Sequence, residues 1–172
     1  MLQAFANAIP RLETERLLLR EYRAEDFEGF AEHTADAESM VHLSVKDRQT
    51  AWRIFGSHAG LWLLHGAGWW AVELRETGQV VGTVGAFFRE QSREMEIGWN
   101  TYREFWGRGF AREAAAAMVE HAFSARQEPH VHALISAGNL SSIRVAERLG
   151  LTYRDETSLY GKVIGKYVLD HR

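Results

Sequence analysis

Residues 94–114 read EMEIGWNTYREFWGRGFAREA and predict a strand, a glycine-rich loop and the first turns of a helix. Gly107 and Gly109 let the backbone of this loop approach a ligand closely. The first turn of the following helix has amide groups without internal partners, and the helix dipole favours an anion there. Three arginines in the stretch add positive charge. The stretch therefore favours a phosphate site, although a glycine pair can also mark no more than a tight turn.

The sequence on either side of this stretch predicts a mixed, α+β-like α/β domain. Apolar residues at helical spacing favour helices over residues 24–35, 47–64, 111–125 and 140–149. Alternating or short apolar runs favour strands over residues 14–20, 69–74, 80–88, 93–99, 132–136, 152–156 and 160–169. The strand–helix–strand unit at 93–136 needs a right-handed crossover, which makes its two strands parallel. We expect an N-terminal extension over residues 1–10 and a single domain over 11–172.

Length and composition limit the classes to which the chain can belong. Its 172 residues suit one domain, and 46% hydrophobic and 25% charged residues suit a globular fold. The absence of cysteine excludes a disulfide scaffold, a thiolate nucleophile, a thiolate zinc site and an iron–sulfur cluster. A net charge of -3 argues against a nucleic-acid partner. No apolar run approaches the roughly 20 residues of a membrane span, and the first ten residues do not resemble a secretory signal. We expect a cytoplasmic protein without a membrane partner.

Other nucleotide and metal motifs fit this sequence poorly. A Walker loop needs Lys and then Ser or Thr after its second glycine, where this chain has Phe110 and Ala111. A dinucleotide fingerprint needs an acidic residue at the end of the next strand, and the strand predicted at 132–136 ends without one. His130 and His132 lack a third ligand at a suitable spacing, so we expect no metal.

Four motifs in order resemble the GNAT superfamily of N-acetyltransferases. They are EIGW at Glu96–Trp99, WGRGFAREA at Trp106–Ala114, NLSS at Asn139–Ser142 and AERLGL at Ala146–Leu151. The opening segment LETERLLLR at Leu12–Arg20 is similar to that of the ribosomal-protein N-terminal acetyltransferases, the Rim-type branch. The resemblance covers residues 11–169. It implies a twisted, mostly antiparallel sheet of six to seven strands, with one splayed parallel pair and helices on both faces.

The resemblance also implies acetyl-CoA as the co-substrate and no metal. The pantetheine arm would run between the strand that ends near Trp99 and the strand at 132–136. Backbone amides of the loop and the helix start would hold the pyrophosphate. The co-substrate site implied by the resemblance consists of Ile97, Gly98, Trp99, Arg103, Trp106, Gly107, Arg108, Gly109, Phe110, Ala111, Asn139 and Ser142.

Catalysis would need two groups. Many members of the superfamily have a tyrosine that protonates the leaving CoA thiolate, and Ala146 stands at that position here. The Rim-type branch implies Ser142 instead, whose hydroxyl would stabilise the thiolate. The attacking amine must be neutral, so a base is required, and Glu96 is the first candidate, with Glu94 on the same strand face as the second. Alternatively, Asn139 and Ser142 are a helix cap, and the glutamates are solvated strand residues.

We therefore expect an N-acetyltransferase that moves an acetyl group to a primary amine by direct attack in a ternary complex. The acceptor would be a protein N-terminal α-amine or a small-molecule amine, chosen by residues 42–66, 88–93 and 158–161. Family members often form dimers, which makes a homodimer possible. Two alternatives remain open: a non-catalytic acyl-CoA-binding sensor or scaffold, and a partner-binding domain whose glycines only form turns.

Overall fold

The computed structural model describes residues 9–90, 92–159 and 161–171. Within these ranges the chain forms the helices α1 (Phe27–Ala35), α2 (Arg48–His65), α3 (Phe110–Ser124) and α4 (Leu140–Arg148). Short 3-10 turns lie at Ala24–Asp26 and Arg103–Phe105. Each predicted helix is confirmed with small shifts at its ends. Most of the predicted N-terminal extension, residues 1–8, lies outside the described residues. None of the described helices is long and apolar enough to cross a membrane.

Eight strands form one mixed sheet in the described part of the chain. They are β1 (Leu12–Glu13), β2 (Leu17–Arg20), β3 (Gly68–Leu74), β4 (Val80–Phe87), β5 (Met95–Thr101), β6 (His130–Ile135), β7 (Thr152–Leu159) and β8 (Lys162–Asp170). Their order is β1-β2-β3-β4-β5-β6-β8-β7, and every pair except β5–β6 is antiparallel. The sheet has one strand more than the six to seven expected. The strand predicted at 14–20 begins only at Leu17, because the Thr14 amide donates to the Leu17 carbonyl at 2.9 Å in a turn, and β1 precedes that turn as an additional strand.

Two adjacent tryptophans on β3 show how both faces of the sheet are covered. Trp69 stacks on His58 of α2, with ring centroids 4.3 Å apart. Trp70, which is fully buried, points to the opposite face, where its ring meets His121 of α3 edge-on. The core therefore lies on both sides of the sheet, and the predicted placement of helices on both faces is confirmed.

The parallel pair β5–β6 is short. Its ladder joins two residue pairs, of which Glu96–His132 is the second. β5 continues to Thr101 beside β4, and β6 continues to Ile135 beside β8. The β5–β6 ladder ends at Glu96–His132 while both strands continue, so the two strands separate beyond this pair. The predicted splayed pair is confirmed, and it opens the middle of the sheet toward the N-termini of α3 and α4.

Candidate active site

A cavity of about 1020 Å³ lies where the end of β5 meets the N-termini of α3 and α4. Residues 38–43, which follow α1, form its opposite wall. Of the residues predicted for the co-substrate site, those that line the cavity are Trp99, Trp106, Gly107, Gly109, Phe110, Ala111, Asn139 and Ser142. The sequence motifs that lie far apart in the chain thus meet in one place.

The N-terminus of α3 forms one side of the cavity. Gly107 and Gly109 have φ angles of 76° and 80°, which a residue with a side chain rarely adopts. Gly109 is the N-cap of α3, and the first helical hydrogen bond is donated by the Glu113 amide to the Gly109 carbonyl at 3.1 Å. The amides of Phe110 and Ala111 precede that bond. They are therefore available to an anion, as the glycine loop predicted.

Trp106 and Arg108 flank this helix start in different ways. The Trp106 indole donates from Nε1 to the Thr101 carbonyl at 2.7 Å and leaves 46% of the residue exposed at the cavity. The Arg108 guanidinium lies over the Phe105 ring, 5.4 Å from its centroid, and Arg108 is not among the cavity-lining residues. The backbone of Arg108 can therefore take part in the predicted co-substrate site. Its side chain, in the position seen here, cannot.

The N-terminus of α4 forms the facing side. The Asn139 side-chain oxygen accepts from the Ser142 amide at 3.2 Å and from the Ser141 hydroxyl at 2.9 Å, so Asn139 caps the helix. Ser142 Oγ makes no hydrogen bond within the described part of the chain and lines the cavity. The capping role is therefore present, and it leaves the Ser142 hydroxyl available to a ligand.

The arginines near the cavity differ from those expected. Arg103 pairs with Asp36 at 3.0 Å and with Glu38 at 2.7 Å, and it lines a different, neighbouring cavity. The cavity-lining arginines that have no ion pair in the described ranges are Arg112, Arg144 and Arg148. Two of them were missed from the sequence. Their spacing of four residues on α4, directly after the Asn-x-x-Ser motif, is the signal that could have found them.

Three predicted residues of β5 lie beside the cavity rather than in its lining. Ile97 is buried in the core, and a Cβ added to Gly98 would lie 2.9 Å from the Trp69 ring. The Glu96 carboxylate accepts from Arg89 Nε at 2.5 Å and from Arg89 Nη2 at 2.7 Å. Because the guanidinium occupies both carboxylate oxygens, Glu96 is not the exposed strand glutamate that was the alternative.

Histidine and lysine side chains lie close to the carboxylates of Glu96 and Glu94. His132 Nε2 lies 3.9 Å from Glu96 Oε2, and burial lowers the pKa of His132. Its Nδ1 is buried and has no hydrogen-bond partner in the described residues. Glu94 accepts from Lys166 Nζ at 2.7 Å, which lowers the pKa of Glu94. The described residues contain no group of three His, Asp or Glu side chains placed to hold a metal.

The family profile of the Acetyltransferase (GNAT) domain matches residues 16–152. The chain belongs to the GNAT acetyltransferases. The enzyme is therefore an acetyl-CoA-dependent acyltransferase, and the resemblance found in the sequence is confirmed.

Three relatives describe how close the likeness is. A crystal structure of an acetyltransferase from Agrobacterium tumefaciens str. C58 is 32% identical, with a TM-score of 0.86 over 95% of both chains. The uncharacterized protein YkkB of Bacillus subtilis (strain 168) is 38% identical over 105 residues, which are 60% of this chain and 61% of that protein, less than two thirds of its length. Mycobacterium smegmatis RimJ, solved in complex with a CoA disulfide, is 18% identical with a TM-score of 0.77 over 94% of this chain and 88% of that one. This last likeness concerns the fold alone.

Proposed function

We propose that this GNAT enzyme acetylates a primary amine, either a protein N-terminal α-amine or a small-molecule amine, using acetyl-CoA bound in the cavity between α3 and α4. The observation that carries the proposal is that helix amides, arginines and a serine hydroxyl, all without a partner among the described residues, meet in one cavity. Anions are stabilised at such helix starts, and a hydroxyl beside them suits a leaving thiolate.

The donor would bind along this cavity. The amides of Phe110 and Ala111 would hold the pyrophosphate, with Arg112 contributing charge from the same helix turn. The pantetheine arm would enter the opening between β5 and β6 beside Trp99. Membership of the GNAT acetyltransferase family supports this choice of co-substrate.

The chemistry would need no covalent enzyme intermediate. The neutral amine attacks the thioester carbonyl, the C–S bond breaks, and the electron pair goes to sulfur. Ser142 would donate a hydrogen bond to the thiolate. We keep Glu96 as the candidate that receives the ammonium proton, with Arg89 holding its carboxylate in place and His132 beside it. Glu94 stays the second candidate; like Glu96 it is ion-paired, in its case with Lys166.

The acceptor would contact the wall formed by residues 41–43. Val41 and Leu43 line the cavity and are 69% and 60% exposed. They therefore offer apolar surface to the group that carries the amine. Two other segments expected to select the acceptor, 88–93 and 158–161, contain Gln91 and Tyr160, which lie outside the described residues.

The proposal is tested by the release of free CoA from acetyl-CoA in the presence of an amine panel. The panel contains a peptide with a free N-terminus, the same peptide with a blocked N-terminus, a small primary amine and a tertiary amine. CoA release that depends on a primary amine supports the proposal, and the peptide pair separates the two acceptor classes. Binding of acetyl-CoA without turnover on any amine would contradict it and favour the non-catalytic acyl-CoA-binding module.

A further inference from the structure

The segment between β1 and β2 reaches across to the first turn of α3. Thr14 Oγ1 donates to Glu113 Oε1 at 2.6 Å, and the Arg16 amide donates to the same oxygen at 2.9 Å. Arg16 Nε donates to Glu113 Oε2 at 2.7 Å. Both carboxylate oxygens of Glu113 are therefore held by this segment.

The same arginine also lies against the glycine loop and the first residue of α3. Arg16 Nη1 donates to the Arg108 carbonyl at 3.0 Å. The guanidinium lies 4.7 Å from the centroid of the Phe110 ring. A Cβ added to Gly109 would lie 3.6 Å from Arg16 Nη2. Arg16 thus fixes the backbone that aims the first amides of α3 into the cavity.

Besides fixing the loop backbone, Arg16 acts on the charge of Glu113. Glu113 lines the cavity in the first turn of α3, so its carboxylate competes with a bound phosphate for the positive end of the helix. Burial raises the pKa of Glu113, but hydrogen bonds from Thr14 and Arg16 lower this pKa more, so it lies below its usual value. The carboxylate is therefore negative at neutral pH, and Arg16 offsets it.

We propose that Arg16 is a positioning residue for the phosphates of acetyl-CoA: it holds the Arg108–Phe110 backbone and neutralises Glu113 beside the anion. The inference rests on the proposed co-substrate site. It assigns to the Leu12–Arg20 segment a role in donor binding, whereas Arg16 does not touch the acetyl group or the amine.

The test is calorimetric titration of acetyl-CoA into the wild type, Arg16→Ala, Arg16→Lys, Glu113→Gln and the double variant Arg16→Ala/Glu113→Gln. Arg16→Ala should weaken binding about tenfold, since it loosens the loop and leaves an uncompensated carboxylate. The double variant should recover about threefold, because it removes that carboxylate. Arg16→Lys should lie between, since lysine keeps the charge but lacks the planar fork.

A matched control is Arg48→Ala. Arg48 pairs with Glu28, its guanidinium lies 4.8 Å from the centroid of the Phe27 ring, and it does not line the cavity. Like Arg16, Arg48 has an ion pair and a ring contact, but it does not contact the glycine loop. The Arg48→Ala variant should therefore bind acetyl-CoA with the affinity of the wild type. At saturating acetyl-CoA, kcat of Arg16→Ala should stay within about twofold of the wild type, since the residue acts on binding.

The outcomes separate this inference from the proposed function. If the wild type binds acetyl-CoA and Arg16→Ala and Arg16→Lys bind it equally well, the inference is wrong and the proposed function stands. If the double variant binds no better than Arg16→Ala, the charge offset is wrong. Failure of the wild type to bind acetyl-CoA would instead overturn the proposed function, and the inference with it.

Discussion

The 3-10 turn at Arg103–Phe105 separates two cavities whose charges are used differently. The first cavity, about 750 Å³, lies between α1 and the β3–β4 turn. Each of its arginines pairs with carboxylates: Arg20 with Asp26 and Glu73, Arg23 with Glu21 and Glu73, and Arg103 with Asp36 and Glu38. Its charges therefore hold structural elements to one another.

The second cavity, between α3 and α4, keeps charge available. It is lined by Arg112, Arg144 and Arg148, which have no ion pair in the described ranges, and by the open helix start after Gly109. Its one paired arginine, Arg16, supports that helix start. The comparison teaches that a candidate anion site is recognised by arginines and helix amides that have no partner among the described residues, whereas the number of arginines does not distinguish the two cavities.

The largest expected effect is a loss of protein stability when an arginine of the first cavity is removed. Arg20→Ala should lower the free energy of unfolding by about 3–5 kcal/mol, because it leaves the carboxylates of Asp26 and Glu73 without their buried partner. Urea unfolding measures this, with Arg23→Ala, a more exposed arginine, as the control that costs about 1 kcal/mol or less. A similar cost for both variants would contradict the structural role of Arg20.

A large catalytic effect is expected in the second cavity. Ser142→Ala should lower kcat about a hundredfold with little change in KM, because the hydroxyl acts on the thiolate that forms in the transition state. Steady-state kinetics measure it. Ser141→Ala is the matched control, since Ser141 also lines the cavity but its hydroxyl donates to Asn139. Equal kcat values for wild type and Ser142→Ala would remove Ser142 from the chemistry.

A smaller effect on binding is expected at the glycine loop. Gly109→Ala should weaken acetyl-CoA binding about thirtyfold, because alanine disfavours the positive φ that aims the amides of Phe110 and Ala111. Gly78→Ala is the matched control: its φ of 74° is close to the 80° of Gly109, but it lies in the β3–β4 turn. Equal losses of affinity in both variants would mean that general strain is responsible.

An effect on acetyl-CoA affinity of about one order of magnitude is expected from Arg112 but not from Arg103. Arg112→Ala should weaken acetyl-CoA binding about tenfold, since an unpaired guanidinium near the helix start is free to bind phosphate. Arg103→Ala should leave the affinity unchanged, because that charge is already engaged by Asp36 and Glu38. Calorimetric titration of acetyl-CoA into both variants measures the difference. A larger loss of affinity in Arg103→Ala than in Arg112→Ala would instead place the acetyl-CoA site in the first cavity.

The smallest effect concerns His33, which lines both cavities. Burial lowers the pKa of His33 from its usual value of 6.5, although Asp36 opposes the shift. Below pH 6.5 the unfolded chain therefore binds more protons, so stability falls as the pH falls. Between pH 7.5 and 5.5, His33→Gln should lose less stability than the wild type, by about 1 kcal/mol or less. Urea unfolding at both pH values measures it, and an equal loss would contradict the shift.

Local patterns made much of the fold predictable. The helix at 111–125, the strands at 69–74 and 80–88 and the parallel pair of the 93–136 unit follow from short sequence patterns, and the structure confirms them. The short strand β1 and the turn before Leu17 were missed, because a turn hydrogen bond from Thr14 competes with strand propensity there.

The site was predictable where its geometry is local. Gly109 and Ser142 could be assigned to the cavity because a loop and a helix cap are encoded within a few residues. Arg103 could not, since its partners Asp36 and Glu38 are more than sixty residues away in the chain. The engagement of Glu96 by Arg89 likewise depends on the β4–β5 pairing.

Hydrogen exchange with and without acetyl-CoA tests the central claim most directly, because it locates the donor without any substitution. Acetyl-CoA should slow amide exchange in residues 107–113 and 139–145, which surround the second cavity. Exchange in residues 24–29 and 78–80, around the first cavity, should stay unchanged. Slowing confined to the first cavity, or none at concentrations where calorimetry shows binding, would contradict the assignment of the acetyl-CoA site.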